Sequence, residues 1–495
     1  MARTAPVPNI PAIPGMNPGT FILGGGGAGG GGGGAGGGGS GDGQGGNGGN
    51  GGNGAKGGGK QAPDPKKYPT CGTKSHPVDV VTGRAFTHPI VDFELPGPLP
   101  LRFARTCSST IHREDAGLGW GWAHTFGWRI EVQRQRVRVW NESGTALDFP
   151  VPHAGETAIG PWGWILRRDG ERSFSLDADD GGVWRFFEPS NDAATQYRLS
   201  VIADRNRNRI QLLYADGRLT KINDAAGRTI HVLSTHDGRI AAFLVKNAAA
   251  RGRWIELARY SYDARGCLIE ATDPDGHAWR YEYDDDRRLT KDTDRTGLTF
   301  HFLYDRQGRC VESWGAYDAR PDPSLAPDLP PYLHDRETRA KGIHHCRFHW
   351  YPDGYSEVVD STQVSRFFGN SRGTIDKSCE GPGVWSYAYD EHGFQTRSVD
   401  PEGGTTHYER DRRGRLLRLT DALGRAMIIE RDAEGLPVCI TDPEGGNTRL
   451  WRDRFGNVEG VQDASGATTM YTRDERGLVT AVHHANGATS RFEYL

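Results

Sequence analysis

The most metal-like stretch of the chain is Ile343-His344-His345-Cys346-Arg347-Phe348-His349-Trp350, which offers three imidazoles and a thiol. A structural zinc ion needs four such ligands converging as a tetrahedron. On a strand, His345 and His349 share one face while His344 and Cys346 share the other, so at most two converge without help from elsewhere. The segment is read as an ordinary strand. Aspartates are numerous enough to suggest paired catalytic carboxylates, the arrangement of glycoside hydrolysis. Nearly all of them recur at turn positions, which assigns them a structural task. Trp120 and Trp122 could stack sugars, but glycines on both sides favour packing in a core. The tract from Gly24 to Gly59 lacks the Gly-Lys-Ser/Thr ending and the preceding strand of a phosphate loop. Seven cysteines (Cys71, Cys107, Cys267, Cys310, Cys346, Cys379, Cys439) are odd in number, widely spaced and without a Cys-x-x-Cys pair. They read as small buried hydrophobes rather than as a disulfide framework or zinc site. No catalytic, cofactor-binding or metal-binding residue is assigned, no cofactor is expected, and the chain reads as a non-enzyme.

What those residues sit on is set by a repeat. Gly393, Gly414, Gly435, Gly456 and Gly477 are spaced by 21, and so are Gly403, Gly424, Gly445, Gly466 and Gly487. Upstream, Gly276 and Gly297 keep the same spacing and Gly308 lies 42 beyond Gly266, with Arg287 in the intermediate slot. Each unit runs aromatic strand, turn, aliphatic strand, turn. Trp279, Tyr281 and Tyr283 alternate, as do Phe300, Phe302 and Tyr304, and Trp385, Tyr387 and Tyr389. The first turn is Asp-x-x-Gly, as in Asp263 to Gly266 and Asp390 to Gly393. Its aspartate is expected to accept from amides two or three residues on, with glycine in the left-handed position. The second is Asp-Pro-x-Gly, as in Asp273 to Gly276, Asp400 to Gly403 and Asp442 to Gly445. A unit is therefore one β-hairpin, which is unstable alone, so successive hairpins must pair into a continuous sheet. The fold class is all-β: a spiral or solenoid sheet of 21-residue hairpin repeats.

Ahead of the repeats, Val78 to Val81, Phe86 to Phe93 and Leu101 to Arg105 read as strands, and Gly117-Leu118-Gly119-Trp120-Gly121-Trp122 as a corner where aromatics plug a sheet edge. Residues 128–250 continue as short strands with Asp-Gly turns. The expected organisation is a disordered Pro/Gly-rich tail at 1–62, a β-rich N-terminal domain at 63–160, hairpins and first repeats at 161–310, an insertion with a proline-rich loop at 311–383, and further repeats at 384–495. Of the 36 positions from Gly24 to Gly59, 26 are glycine, and such a tract has no apolar surface to bury. Ile10 to Leu23 could be a tethered docking peptide or do nothing specific. The 60 basic and 63 acidic side chains give a net charge of −3, so no nucleic-acid footprint follows. No run approaches the roughly 18 apolar residues of a membrane span, and the start lacks a secretory signal.

With the Tyr-Asp pairs at Tyr262-Asp263, Tyr283-Asp284, Tyr304-Asp305 and Tyr389-Asp390, the chain resembles the Rhs family, or YD-repeat proteins. The resemblance covers about residue 251 to the end, apart from 311–383. The front is similar to the domain that precedes Rhs repeats in bacterial polymorphic toxins, carried by His76 to Gly83, Asp92 to Leu101 and Gly117 to Trp122. Two departures stand in it: His76 where the family usually has aspartate, and Cys107 where tyrosine is common. The resemblance implies a hollow β-shell without chemistry of its own, apart from a self-cleaving aspartate motif near its far end. It implies an enclosed C-terminal toxin domain, delivery to rival cells often through type VI secretion, and hence a cytoplasmic stay before release by a non-Sec route. Neither the closing motif nor a toxin is found in the sequence. Asp421-Ala422-Leu423-Gly424-Arg425 sits on the 21-residue frame and reads as an ordinary turn.

Expected partners are a toxin domain or a downstream Rhs fragment, and a secretion spike or adaptor reached through the N-terminal tail; neither nucleic acid nor a membrane span is expected. Phe492 and Tyr494 open a fresh aromatic strand whose turn glycine would fall past Leu495, which suggests a truncated product or a fragment of a split toxin. A toxin of about 130 residues needs a wall roughly 145 Å around, on the order of fifteen hairpins, so one open turn is the most expected. The competing reading is a surface adhesin or carbohydrate-binding protein built on the same sheet.

Overall fold

A computed structural model describes residues 72–179, 181–247, 252–317 and 331–494. The tail, the docking peptide and the proline-rich run from Pro321 to Pro330 lie outside them. Strands dominate, and one antiparallel sheet takes in every strand from Arg129–Val132 to Thr489–Arg491. Successive strands pair with their sequence neighbours from Ile165–Gly170 onward, as 21-residue hairpins require. The sheet forks at Gln196–Asp204. Its first residues pair with Arg129–Val132, while Val201 to Ala203 pair with Arg209 to Gln211 along the same edge. It is an open ribbon, not a closed barrel.

The turns explain the period. In Asp263 to Gly266 the glycine amide donates to the Asp263 carbonyl at 3.0 Å, and the glycine takes φ +79. The Asp263 carboxylate accepts from the amides of Arg265 and Cys267 at 2.9 and 2.8 Å, two and four residues on rather than two or three. Arg287, standing where a glycine is missing, is forced to φ +67 and lays its guanidinium 4.3 Å from the Trp120 ring.

Residues 311–383 do not interrupt the sheet as a whole. Cys310–Tyr317, Ile343–Trp350, Tyr355–Val359, Val364–Gly369 and Ile375–Glu380 are consecutive ribbon strands. The departure is confined to the connection between Tyr317 and Ile343. The strands on its far side lost the Tyr-Asp signature and kept the alternation, which is what pairing needs.

The ribbon also meets itself, which corrects the expectation of at most one open turn. Arg205 donates to the Gly456 carbonyl at 3.0 Å, Asn206 and Asn457 exchange bonds at 2.7 and 3.2 Å, and Arg413 donates to the Gly163 carbonyl at 3.2 Å and pairs with Asp177 at 3.0 Å. The hydrogen-bonded partners lie 250 or 251 residues apart, close to twelve repeats. Twenty-one described strands separate the Asp204 turn from the Asp453 turn, which at 4.7–4.9 Å each gives a loop about 100 Å around and roughly 30 Å across. The earlier expectation took its circumference from an assumed cargo, and the ribbon curls more tightly.

Candidate functional site

Residues 72–127 seat on the ribbon through specific side-chain contacts. Three short strands, Ile90–Leu95, Leu101–Cys107 and Trp122–His124, form a separate sheet. It lies on one face of the ribbon as a plug. Phe93 and Phe103 pack on Phe243 with ring centres 5.1 and 4.5 Å away, and Trp122, fully buried, donates from Nε1 to the Tyr283 hydroxyl at 2.8 Å. These distances put large rings in mutual contact, where each buries more apolar area than any other side chain could.

At the centre sits Arg105, with no exposed surface. Its Nε donates to both oxygens of Asp92 at 3.0 and 2.8 Å and its Nη1 to the Tyr281 hydroxyl at 2.5 Å, while Tyr260 donates to Asp92 at 2.6 Å. Burial works to strip the guanidinium of its proton. The charge of Asp92 and the phenol oxygens of Tyr281 and Tyr260 outweigh it and hold Arg105 above its ordinary value. The rings of Trp122, Trp279 and Tyr281 surround the cation at 5.0 to 5.5 Å, a cation–π box. A charge so placed is stable only while both sides of the seat are present.

Plug loops also run along one rim of the ribbon. Ile240 and Cys310 donate their amides to the carbonyls of Gly117 and Gly83, both at 2.8 Å, Arg239 pairs with Asp115 at 2.8 Å, and Trp120 donates to the Arg265 carbonyl at 3.0 Å. The rim so covered is that of the Asp-x-x-Gly turns. Farther along the same rim, the turns from Asp411 to Gly477 are met by the ribbon's own residues 163–208. The opposite rim is partly covered at its front, where Arg228 donates to the plug's Pro96 carbonyl at 2.5 Å and the turns near Asp177 and Asp204 enter the seam; farther on it is open, and at Gly276, Gly297, Gly403, Gly424, Gly445, Gly466 and Gly487 an added Cβ would meet nothing within 4 Å.

The face that carries the plug continues past it. Register pairs link Phe367, Ser378 and Trp385, then Tyr387 with Ser398, Tyr408 with Leu419, Ile429 with Ile440, and Tyr471 with Val482. Between the rims this stretch shows apolar and hydroxyl side chains, with the part-buried Arg410, Arg431, Arg452 and Arg473 on the same face beside the Asp-x-x-Gly turns. Its buried members, among them Leu416, Ile429, Ile440, Leu450 and Tyr471, form a second core made of ribbon residues alone.

The residues singled out in the sequence fall as follows. His345 is buried, with Nε2 2.9 Å from Glu312 and Nδ1 accepting from the Lys341 amide at 3.3 Å, so both ring nitrogens are occupied by protein. His349 lies opposite Glu357 in the register, and Cys346 is buried on the plug side, its thiol pushed up to about 12 by burial. His344 breaks the alternation at φ +50. The structure does not gather these four into a ligand set. Asp421 accepts from the amides of Leu423 and Arg425, both at 2.9 Å, as Asp400 and Asp442 do from the amides two and four residues on in their own turns. Among the described residues, Asp273, Asp275 and His277 cluster at the open rim, where Arg295 occupies Asp273 at 3.1 Å. Sequence reasoning missed Arg105, Asp92 and the wall tyrosines as one buried unit, because only chain folding brings them together.

Residues 262–299 and 384–426 match the family model described as RHS Repeat. The chain carries RHS repeats. Residues 75–149 of this RHS-repeat chain match a domain of unknown function, DUF6531, which takes in the plug and the first ribbon strands. A curated relative, double-stranded DNA deaminase toxin A of Burkholderia cenocepacia (strain H111), is 28% identical over 225 residues, 41% of this chain and 14% of that protein. The RHS-repeat chain thus aligns with about a seventh of that relative's length. Among solved structures, TcdB2-TccC3-Cdc42 is 12% identical with a TM-score of 0.41, covering 81% of this chain and 26% of that one. The Tc holotoxin pore of Photorhabdus luminescens is 12% identical with a TM-score of 0.36, covering 68% and 22%. Among the described residues, no helix is long and apolar enough to cross a membrane.

Proposed function

We propose that this chain is the plugged wall of an RHS-type toxin shell, a non-catalytic delivery module that works in competition between bacteria and travels through a type VI secretion route. The observation that carries the reading is the asymmetric closure of the ribbon. One rim and one face are sealed by the plug over the front strands, while the same face continues beyond it as a curved surface of apolar and hydroxyl side chains, edged by part-buried arginines and with a core of its own. Its aspartates are spent on turn amides, and its buried cation on holding the plug, so the conspicuous titratable groups have structural partners.

The open rim supports a further partner. Where the ribbon meets itself, one rim receives the Asp-x-x-Gly turns of the other. A second copy finds most of those turns covered by plug loops and by its own seam, with those at Gly354 and Gly393 left clear. The fitting occupant is more RHS ribbon without a plug, such as a downstream Rhs fragment bearing the toxin domain. A secretion spike or adaptor would engage through the N-terminal tail at 1–62.

Co-expression with the reading frame beside its gene tests this. The expected result is a stable complex in which the neighbour's toxin domain resists a protease that degrades it alone. Two proteins that separate on a sizing column, with the toxin domain cleaved as fast as when free, would overturn it.

A further inference from the structure

Tyr260 and Tyr281 stand two residues ahead of the turn positions Tyr262 and Tyr283, 21 apart and on the face that carries the plug. Their hydroxyls hold the two ends of the plug's buried ion pair: Tyr260 donates to Asp92 at 2.6 Å, and Tyr281 accepts from Arg105 at 2.5 Å. Ala271 and Trp279 lie between them in the register. The repeat builds the same arrangement a second time. Tyr387 and Tyr408 stand two residues ahead of Tyr389 and Arg410, again 21 apart, with Ser398 and Thr406 between them. In both pairs the members are two strands apart, about 9.6 Å.

What covers the two pairs differs. Tyr260 and Tyr281 are buried under the plug. Tyr387 and Tyr408 are half-buried, at the margin where the plug's core gives way to the ribbon's own, and Lys74 of the plug pairs with Glu380 on the strand before Tyr387. Tyr387 bonds to Ser378, and the Tyr408 hydroxyl lies 3.3 Å from Oγ of Ser398. With serine donating, each phenol keeps its own O–H for an acceptor. The surroundings call for a negative one. Where the front has Tyr283 the back has Arg410, its guanidinium 5.6 Å from the Tyr408 ring, and the register neighbours Ser398, Thr406, Leu419 and Met427 bring no counter-charge.

We propose that Tyr387 and Tyr408 form a second socket on the plug-side face, which takes an aspartate or glutamate presented among apolar side chains by a folded protein partner. The plug brings both charges to the front socket. Here the ribbon already supplies the cation, so the partner supplies the carboxylate. Two phenol donors beside a guanidinium offset the cost of taking that carboxylate out of water. Trp385, Leu419 and Met427 on the same face receive the apolar side chains around it, as Phe243 receives Phe93 and Phe103 of the plug. The inference rests on the shell reading above, in which the occupant is the toxin-bearing neighbour.

The full chain, titrated with the purified protein encoded beside its gene, tests the socket. Tyr387→Phe and Tyr408→Phe should each raise the Kd about tenfold, the worth of one hydrogen bond to a charged group. Ser398→Ala removes the ribbon's hold on the Tyr408 hydroxyl but leaves the hydroxyl, so it should bind at least as tightly as the wild type. Thr406→Lys should tighten the complex and Thr406→Glu loosen it. A Kd indifferent to both phenylalanines, a loss in Ser398→Ala equal to that in Tyr408→Phe, or the reverse order of the two Thr406 variants would overturn the socket and leave the shell reading standing. A dimer of the chain alone that Tyr408→Phe dissolves would make a second copy the occupant and overturn the choice of partner. No complex with the wild-type chain would overturn both readings.

Discussion

The ribbon solves one problem in two ways along its length. In the front, the residue ahead of the turn aspartate is tyrosine: Tyr283 and Tyr304 donate to the carbonyls of Leu268 and Leu289, 15 residues back, at 2.6 and 2.7 Å. From Arg410 to Arg473 the same position is arginine, and at Tyr494 it is tyrosine again. Arg431 and Arg452 donate to the carbonyls of Leu416 and Pro437, again 15 residues back, at 2.9 and 3.0 Å, and from Nη1 to the carbonyls of Gly435 and Gly456 at 3.0 and 2.9 Å. Arg410 and Arg473 repeat the pattern. The plug explains the difference. Where it covers the face, a ring with one hydroxyl fits a dry interface, and burial pushes Tyr283 and Tyr304 well above the phenol's ordinary value. Where no plug lies, a fork of donors can serve two carbonyls and still reach water. Partial burial lowers Arg431, Arg452 and Arg473 from their ordinary value without discharging them.

The strongest way to break this comparison is to remove the plug's central cation. Arg105→Ala leaves Asp92 buried with Tyr260 as its remaining donor, and breaking a buried pair this way costs about 3–5 kcal/mol. Denaturant unfolding should show that loss. Hydrogen exchange should place it in the front strands while Asn447–Arg452 keeps its protection. Equal loss along the whole ribbon would mean that front and back are one cooperative unit.

The back has its own test. Arg452→Ala removes bonds from a charged donor to two carbonyls, worth about 2–3 kcal/mol, and Arg452→Tyr should regain part of it by restoring the bond to Pro437. Tyrosine no better than alanine there would show that the arginine's second bond, to its own turn, carries the position. In the front, Tyr283→Phe should cost about 2 kcal/mol, because it orphans the Trp122 donor as well as the Leu268 carbonyl, whereas Tyr304→Phe, which loses one bond, should cost about 1. Thermal or urea midpoints suffice for both.

What could be read from the chain divides along similar lines. Turns were legible because Asp-x-x-Gly and Asp-Pro-x-Gly are local: the side chain, the amides it caps and the left-handed glycine lie within five residues. Alternation then gave the strands, and the 21-residue frame gave their pairing. The arginines escaped notice because they replace an aromatic in a row sought by its aromatics, and their meaning lies in carbonyls 15 residues upstream. Ile343 to Trp350 was legible as a strand, but the strands from 355 to 380 were not read as part of the repeat, since their turns at Asn370 and Tyr351 lack the usual aspartate. The plug's seat was least visible. Arg105 meets Tyr281 across 176 residues and Trp122 meets Tyr283 across 161, and no pattern in either segment specifies its partner. The self-contact at 250 residues depends on curl, which accumulates from many small strand twists.

The gentlest probe compares the two rims. Gly445 lies on the open rim at φ +89 with nothing near its Cβ direction, so Gly445→Ala should cost only the left-handed strain, about 1 kcal/mol. Gly456 lies on the covered rim at φ +82, where a Cβ would come within 2.7 Å of Leu436 and press on Arg205, whose Nη1 binds the Gly456 carbonyl at 3.0 Å. Gly456→Ala carries the same strain and must also displace the seam, so its midpoint should fall further. The excess holds the clash with Leu436 as well as the displaced seam, and Arg205→Ala in the same background removes the seam's share. Identical midpoints for the two variants would mean that the rims do not touch in solution, and that the curl holds without its seam.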